Sequence, residues 1–167
     1  MQGTISIESE EGKGTTIILN IPHIYLDHIH SSNASQIDVQ ALKGKHVLLA
    51  EDNPLNAEIA ETMLKDAGFK VTVVKNGLQA LEAVKQNTET CFDCILMDIQ
   101  MPVMNGFEAT RAIRALPSPS ASIPIIALTA NAFEEDKKAS YEAGMNGHIS
   151  KPVQMQVLLK TLANLLL

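Results

Sequence analysis

The chain has 167 residues, a formal net charge of −6, 46% hydrophobic and 19% charged residues, two cysteines and no tryptophan. That length holds one well-buried core plus an appendage. The acidic balance argues against nucleic acid or an anionic membrane as the main partner, and an aromatic content of 4% leaves no stacking platform for bases. No apolar run approaches the roughly 20 residues of a membrane span, and no basic-then-apolar leader opens the chain. The expectation is a cytoplasmic chain, with room for a parent protein anchored in a membrane through segments upstream.

Residues 1–22 alternate and carry glycine, in GTISIESEEGKGTTIILNIP. Ile5 and Ile7, then Ile17, Leu19 and Ile21, mark two strands, with Glu10 to Gly14 as the turn. Residues 23–43 have no sustained period and a polar Ser/Asn centre, so they read as a linker. Its histidines, His23, His28 and His30, are expected to be solvated. From Gly44 the pattern becomes regular and continues to Leu167.

In this second part short apolar runs alternate with segments of helical period. His46–Ala50 is the first run, followed by Val71–Val74, Cys94–Met97, Ile125–Leu128 and His148–Ile149. They are too short for helices and apolar on consecutive positions, as strands buried on both faces are. Between them, Leu55, Ile59, Met63 and Ala67 step by four, Leu78, Leu81 and Val84 step by three, and Val157, Leu158, Thr161, Leu162 and Leu165 mark a last helix. Asn53 fits an N-cap with Pro54 in the first turn. Asn105-Gly106 reads as a loop entering a helix. Gly68, Gly144 and Gly147 suit helix exits or turns. Strands alternating with helices predict an α/β fold, a doubly wound five-stranded parallel sheet, with an N-terminal β-hairpin appendage.

The ends of the strands carry the chemistry. The first run ends in Glu51-Asp52, the third in Asp98, the fourth in Thr129 and the fifth in Lys151-Pro152. Ligands of an open α/β sheet bind beyond the carboxyl ends of its strands, so these side chains are expected on one rim. Carboxylates about 4 Å apart repel by roughly 4 kcal/mol at an effective dielectric near 20. Such a cluster suits a hard cation with oxygen ligands, such as Mg²⁺. A carboxylate beside that cation can attack phosphorus and form an aspartyl phosphate. An ammonium and a hydroxyl, from Lys151 and Thr129, then suit the phosphoryl oxygens. A lone Asp at a strand end is usually a cap or a solvated turn; polar residues at four strand ends are not explained that way.

Four motifs carry a resemblance: LLAEDNPLN (48–56), ILMDIQMPVMNG (95–106), PIIALTANA (124–132) and GMNGHISKPV (144–153). Residues 44–167 resemble the receiver domain of two-component response regulators, especially those fused to hybrid sensor histidine kinases. The resemblance implies the flavodoxin-like strand order 2-1-3-4-5 and a phosphorelay function, with Asp98 as phosphoacceptor. It implies that Asp52 and Asp98 bind Mg²⁺ directly, Glu51 assists, and the backbone carbonyl of Gln100 completes the protein ligands. Thr129 would be the switch hydroxyl and Lys151 the phosphate contact, aimed by a cis Lys151–Pro152 bond. The usual switch aromatic is here His148. Gln100 and Asn131 would flank the path of the hydrolytic water and tune the lifetime of the phosphoryl group. The partners implied are a histidine kinase core or a histidine phosphotransfer domain. The chain would take phosphate from phosphodonors and lose it by autodephosphorylation.

Residues 1–22 resemble the last two strands of a histidine-kinase ATPase domain, closing on Gly12-Lys13-Gly14-Thr15. The chain then looks like the C-terminal part of a hybrid kinase, unable to bind ATP by itself. Gly12-Lys13 is not a P-loop, because Gly14 occupies the Ser/Thr position. Cys91 and Cys94 have CxxC spacing without a second pair, and read as structural thiols. Met101, Met104 and Met145 read as packing residues. Two other functions share features with the pattern. One is a pseudo-receiver that acts only as an interaction module. The other is an aspartyl-nucleophile phosphatase of the haloacid dehalogenase type, which needs an acid where Gln100 stands.

Overall fold

The computed structural model describes residues 4–10, 12–20, 39–86, 92–130 and 134–167. The chain forms two compact units, residues 1–35 and 36–167. In the first, β1 (Thr4–Glu10) pairs antiparallel with β2 (Gly14–Asn20), from Thr4 opposite Asn20 to Glu10 opposite Gly14. Gly12 and Gly14 take φ of 79° and 103° in the turn, which only glycine adopts freely. Ile5, Ile7, Ile17 and Leu19 are all exposed on this ribbon. Ile21 lies outside the described residues.

The second unit is a five-stranded parallel sheet of β3 (His46–Ala50), β4 (Lys70–Val74), β5 (Cys94–Asp98), β6 (Ile125–Thr129) and β7 (Gly147–Ser150), in the spatial order β4-β3-β5-β6-β7. Within this unit that is the expected 2-1-3-4-5. The central strands are apolar at consecutive positions because helices cover both faces. Leu48, Ala50, Ile95, Met97, Ile125 and Ala127 pack with α3 (Gly77–Gln86) and α4 (Gly106–Arg114). Val47, Leu49, Leu96, Ile126, Leu128 and Ile149 pack with α2 (Pro54–Asp66) and α6 (Met155–Leu166). Helix α5 (Glu134–Glu142) precedes β7.

Local signals in the sequence explain the ends of these elements. Asn53 caps α2 by accepting from the N–H groups of Leu55 and Asn56. Asn105 caps α4 in a reciprocal box with Glu108. Gly68 and Gly144 take φ of 93° and 97° behind α2 and α5, and the following Phe69 and Met145 N–H groups bond back to Leu64 and Ser140. Cys94 is a buried free thiol, and burial pushes it up to about 12; Cys91 lies outside the described residues.

Three expectations are corrected. Residues 39–42 form a helical turn, α1 (Val39–Leu42), with Leu42 fully buried, so the end of the expected linker belongs to the second unit. Gly147 opens β7 rather than a turn. Helix α2 buries Ala57, Ala60 and Leu64, while Leu55 and Ile59 of the four-step stripe remain 63% and 46% exposed. Small alanines let the helix sit close to the sheet, and the larger aliphatics turn outward.

Candidate functional site

Three adjacent parallel strands and the β7 edge stop at one rim, and each delivers a polar residue there. β3 runs out into Glu51, whose N–H donates to the Val74 carbonyl at 3.0 Å. β5 ends in Asp98 and β6 in Thr129, one rung beyond the Asp98–Leu128 pairing. β7 leads into Lys151, whose N–H donates to the Thr129 carbonyl at 2.8 Å, and the Lys151–Pro152 bond is cis. A cavity of about 290 Å³ opens between them. It is lined by Glu51, Asp52, Asp98, Gln100, Thr129 and Lys151, together with Asn53 and Asn56.

The charges in this cavity are arranged closely. One carboxylate oxygen from each of Glu51, Asp52 and Asp98 lies within 4.8 Å of the others. Glu51, Asp98 and Thr129 are buried, and Asp52 is exposed. The Lys151 ammonium donates to Asp98 Oδ2 at 2.7 Å and to Glu51 Oε2 at 2.6 Å. The Gln100 N–H donates to Asp98 Oδ1 at 3.3 Å. Burial pushes the Asp98 carboxyl above its ordinary range against the pull of Lys151, and Glu51 adds to the rise. Burial opposes the charge on Lys151, but the hydrogen bonds and charges of Asp98 and Glu51 outweigh it and hold the amine above its ordinary value.

The strand-end residues singled out from the sequence, Glu51, Asp52, Asp98, Thr129 and Lys151, therefore meet in one cavity with Gln100. His148 sits on β7 opposite Ala127 and does not line it; its Nδ1 is buried without a hydrogen-bond partner among the described residues. Asn131 lies outside the described residues. Two further residues belong to the site: Asn53, expected from the sequence only as an N-cap, and Asn56, for which the sequence raised no expectation. The Asn53 N–H and the Asn56 amide both donate to Glu51 Oε1, at 3.3 and 3.2 Å, and fix that buried carboxylate. The signal was present: asparagines at the N-cap and in the first turn of α2, directly after an acidic pair at a strand end.

The donor set is oxygen throughout, and with Lys151 offsetting one of the three carboxylates of Glu51, Asp52 and Asp98 the cluster keeps a net negative charge, which fits a hard divalent ion. Asp98 is the buried carboxylate with a free face toward the cavity, an ammonium on one oxygen and an N–H on the other. That combination suits a nucleophile whose product is an anion held by fixed donors.

Comparisons with known proteins agree with this geometry. The response regulator receiver domain family matches residues 47–163. Hybrid signal transduction histidine kinase I of Dictyostelium discoideum is 40% identical over 131 residues, 77% of this chain and 8% of its own length. Sensor protein EvgS of Escherichia coli is 34% identical over 166 residues, 99% of this chain and 13% of its own length. The chain thus spans a small fraction of these relatives. A receiver domain of a Pseudomonas aeruginosa sensor histidine kinase, solved with magnesium coordinated in the active-site cleft, aligns with a TM-score of 0.67 and 41% identity over 74% of this chain and 98% of that one. The receiver domain of yeast Ssk1, solved in complex with the histidine phosphotransfer protein Ypd1, aligns with a TM-score of 0.66 and 28% identity over 74% and 90%.

Proposed function

Since the chain belongs to the response regulator receiver domain family and resembles receivers of hybrid histidine kinases, we propose that it accepts a phosphoryl group on Asp98 from a phosphohistidine. The observation that carries this reading is the Asp98 carboxylate, buried at the cavity floor between the Lys151 ammonium and the Gln100 N–H. An Asp98 oxygen attacks phosphorus, the P–N bond to the donor imidazole breaks, and the imidazole leaves with a proton from solvent. The Lys151 ammonium, released from Asp98, and the Thr129 hydroxyl bind the new phosphoryl oxygens. Bound Mg²⁺ would neutralise charge on the transferred group; Asp52, Asp98 and the Gln100 carbonyl would hold it, and Glu51 would assist.

His148 takes the position of the switch aromatic beside Thr129's strand. Gln100 and Asn131 are neutral amides and weak bases, which favours a long-lived phosphoryl group. The donor is a histidine kinase core or a histidine phosphotransfer domain. Helix α2 supports this partner: exposed Leu55 and Ile59 flank Asn56, which lines the cavity. The β-ribbon is the end of a kinase ATPase domain, and the parent protein is a hybrid kinase; the match to EvgS across nearly the whole chain supports both. No helix among the described residues is long and apolar enough to cross a membrane.

The test is incubation with acetyl phosphate and Mg²⁺, read by intact mass. Wild type should gain one phosphoryl group and Asp98→Asn none. Turnover of phosphate esters without an adduct would mark a phosphatase, and no reaction would mark an interaction module.

A further inference from the structure

Helix α3 begins at Gly77, and the first N–H of a helix finds no partner inside it. Here that N–H donates to the Met104 carbonyl at 3.0 Å, in the loop between Asp98 and α4. Gly77 does not have a positive φ, so the backbone conformation does not demand glycine. Space does. A Cβ at this position would lie 2.6 Å from the Met104 carbonyl oxygen, 2.8 Å from the Ala109 Cβ and 3.0 Å from the Asn105 carbonyl oxygen. Two of these three atoms are backbone and cannot rotate away.

The same loop is held again at the next residue. The Gly106 N–H donates to the Ile99 carbonyl at 2.9 Å, and a Cβ on Gly106 would collide with the carbonyl of Asp98 itself. Between the two contacts, Met104 N–H closes onto the Pro102 carbonyl at 2.8 Å, with Val103 at a φ of 71°. Such a three-residue turn is rare and strained for a β-branched residue. The loop is therefore a short arch. One foot stands on Asp98, the other is capped into α4 by Asn105, and Gly77 presses on the arch just before that second foot.

We propose that Gly77 is a positioning residue for the chemistry at Asp98, setting the place of the Asp98–Gln100 backbone through the arch; this rests on the reading of Asp98 as phosphoacceptor. Any side chain at position 77 pushes the Met104 and Asn105 carbonyls away from α3. Gly106 follows directly and is wedged against the Asp98 carbonyl, so the displacement passes to the backbone that carries the acceptor and the Gln100 carbonyl. No flexible side chain lies in that path to absorb it. The competing account is plain helix packing, in which Gly77 only makes room for Ala109.

The experiment compares wild type, Gly77→Ala, the Gly77→Ala/Ala109→Gly double variant and Val84→Ala, which trims a buried residue of the same helix. Mg²⁺ affinity is measured by calorimetry, acetyl phosphate labelling by intact mass and stability by thermal melting. Val84→Ala should melt earlier with Mg²⁺ affinity within about two-fold of wild type, because it leaves the arch untouched. Gly77→Ala should lose about 10-fold or more in Mg²⁺ affinity, the scale on which supporting partners act on metal sites, and label more slowly. The double variant should stay defective, because the two carbonyls remain in the way. Wild-type affinity in Gly77→Ala, or its full return in the double variant, overturns the proposal. If Gly77→Ala does not fold, Val103→Gly decides, since glycine tolerates that φ and slackens the arch: reduced affinity supports the proposal and wild-type affinity overturns it. If wild type itself neither binds Mg²⁺ nor labels, the reading of Asp98 fails and takes this proposal with it.

Discussion

Lys151 Nζ lies 2.7 Å from Asp98 Oδ2 and 2.6 Å from Glu51 Oε2, so one ammonium holds two buried carboxylates together. Removing one member of a buried ionic cluster leaves the others uncompensated, at a cost of about 3–5 kcal/mol. Lys151→Met should therefore destabilise the chain by about 3 kcal/mol at neutral pH in the absence of Mg²⁺. The lysine's pKa is raised on folding above the ordinary 10.5. A base raised in this way gives stability that is present below its unfolded pKa and lost as pH rises through the folded one. Urea denaturation should accordingly show the wild-type advantage constant from neutral pH to about 10 and shrinking above 10.5. An advantage that persists undiminished at higher pH would show that Lys151 stabilises by packing and not by charge.

Asp52 differs from its two acidic neighbours in being exposed. Its carboxylate adds negative charge to a cluster that Lys151 already shares between Glu51 and Asp98. Asp52→Ala should leave ion-free stability unchanged or raise it by less than about 1 kcal/mol, as befits an exposed charge. Mg²⁺ affinity should fall by at least about 10-fold, the loss seen even for partners outside the ligand shell. Calorimetric titration and thermal melting of the same preparation check both halves. Unchanged Mg²⁺ affinity would remove Asp52 from the ligand set.

His148 carries the buried Nδ1 that lacks a partner among the described residues. Such an atom costs about 1–3 kcal/mol of lost hydration. His148→Phe keeps an aromatic ring and removes both ring nitrogens, the unpartnered Nδ1 among them, so the unfolding free energy should rise by about 1 kcal/mol. Acetyl phosphate labelling should persist, because His148 does not line the cavity. A lower melting temperature would mean that the ring's extra bulk, and not the nitrogen, governs this position.

The sheet and the polar rim were legible because their signals are local. Consecutive apolar residues ending in Glu51-Asp52, Asp98, Thr129 and Lys151 specify both the buried strands and what they deliver. Helix faces were less legible. Leu55 and Ile59 have the spacing of a buried stripe, yet Ala57 and Ala60 face the sheet, since close approach favours small side chains and periodicity cannot measure distance. Arg114 was illegible for another reason. Its guanidinium donates to the Ala121, Ile123 and Gly144 carbonyls and to Asn146 Oδ1, tying three segments together. Backbone acceptors of that kind leave no residue type to read. Gly77 was hidden similarly, because what it excludes is a carbonyl on another element.

The outward turn of Leu55 and Ile59 bears on how the donor reaches Asp98. Two large aliphatics are partly exposed on the first two turns of α2, and Ile59 walls a small cavity with Ala60, Pro152 and Val153 that also reaches Glu51, Asn56 and Lys151. Under the function proposed above, a phosphohistidine donor has to bring its phosphorus to Asp98 over this rim, and a few well-buried side chains carry most of the energy of such an interface. Ile59→Asp should therefore slow transfer from a phosphorylated histidine phosphotransfer domain by about 10-fold or more, equivalent to losing one anchor of about 1–2 kcal/mol. Labelling by acetyl phosphate needs no docking and should stay at the wild-type rate, since the Ile59 side chain is outside the Asp98 cavity. The comparison of the two donors is the measurement. Equal slowing with both would mean that the substitution disturbs Glu51 and Asn56 at the site itself, and unchanged transfer from the protein donor would move the docking face away from α2.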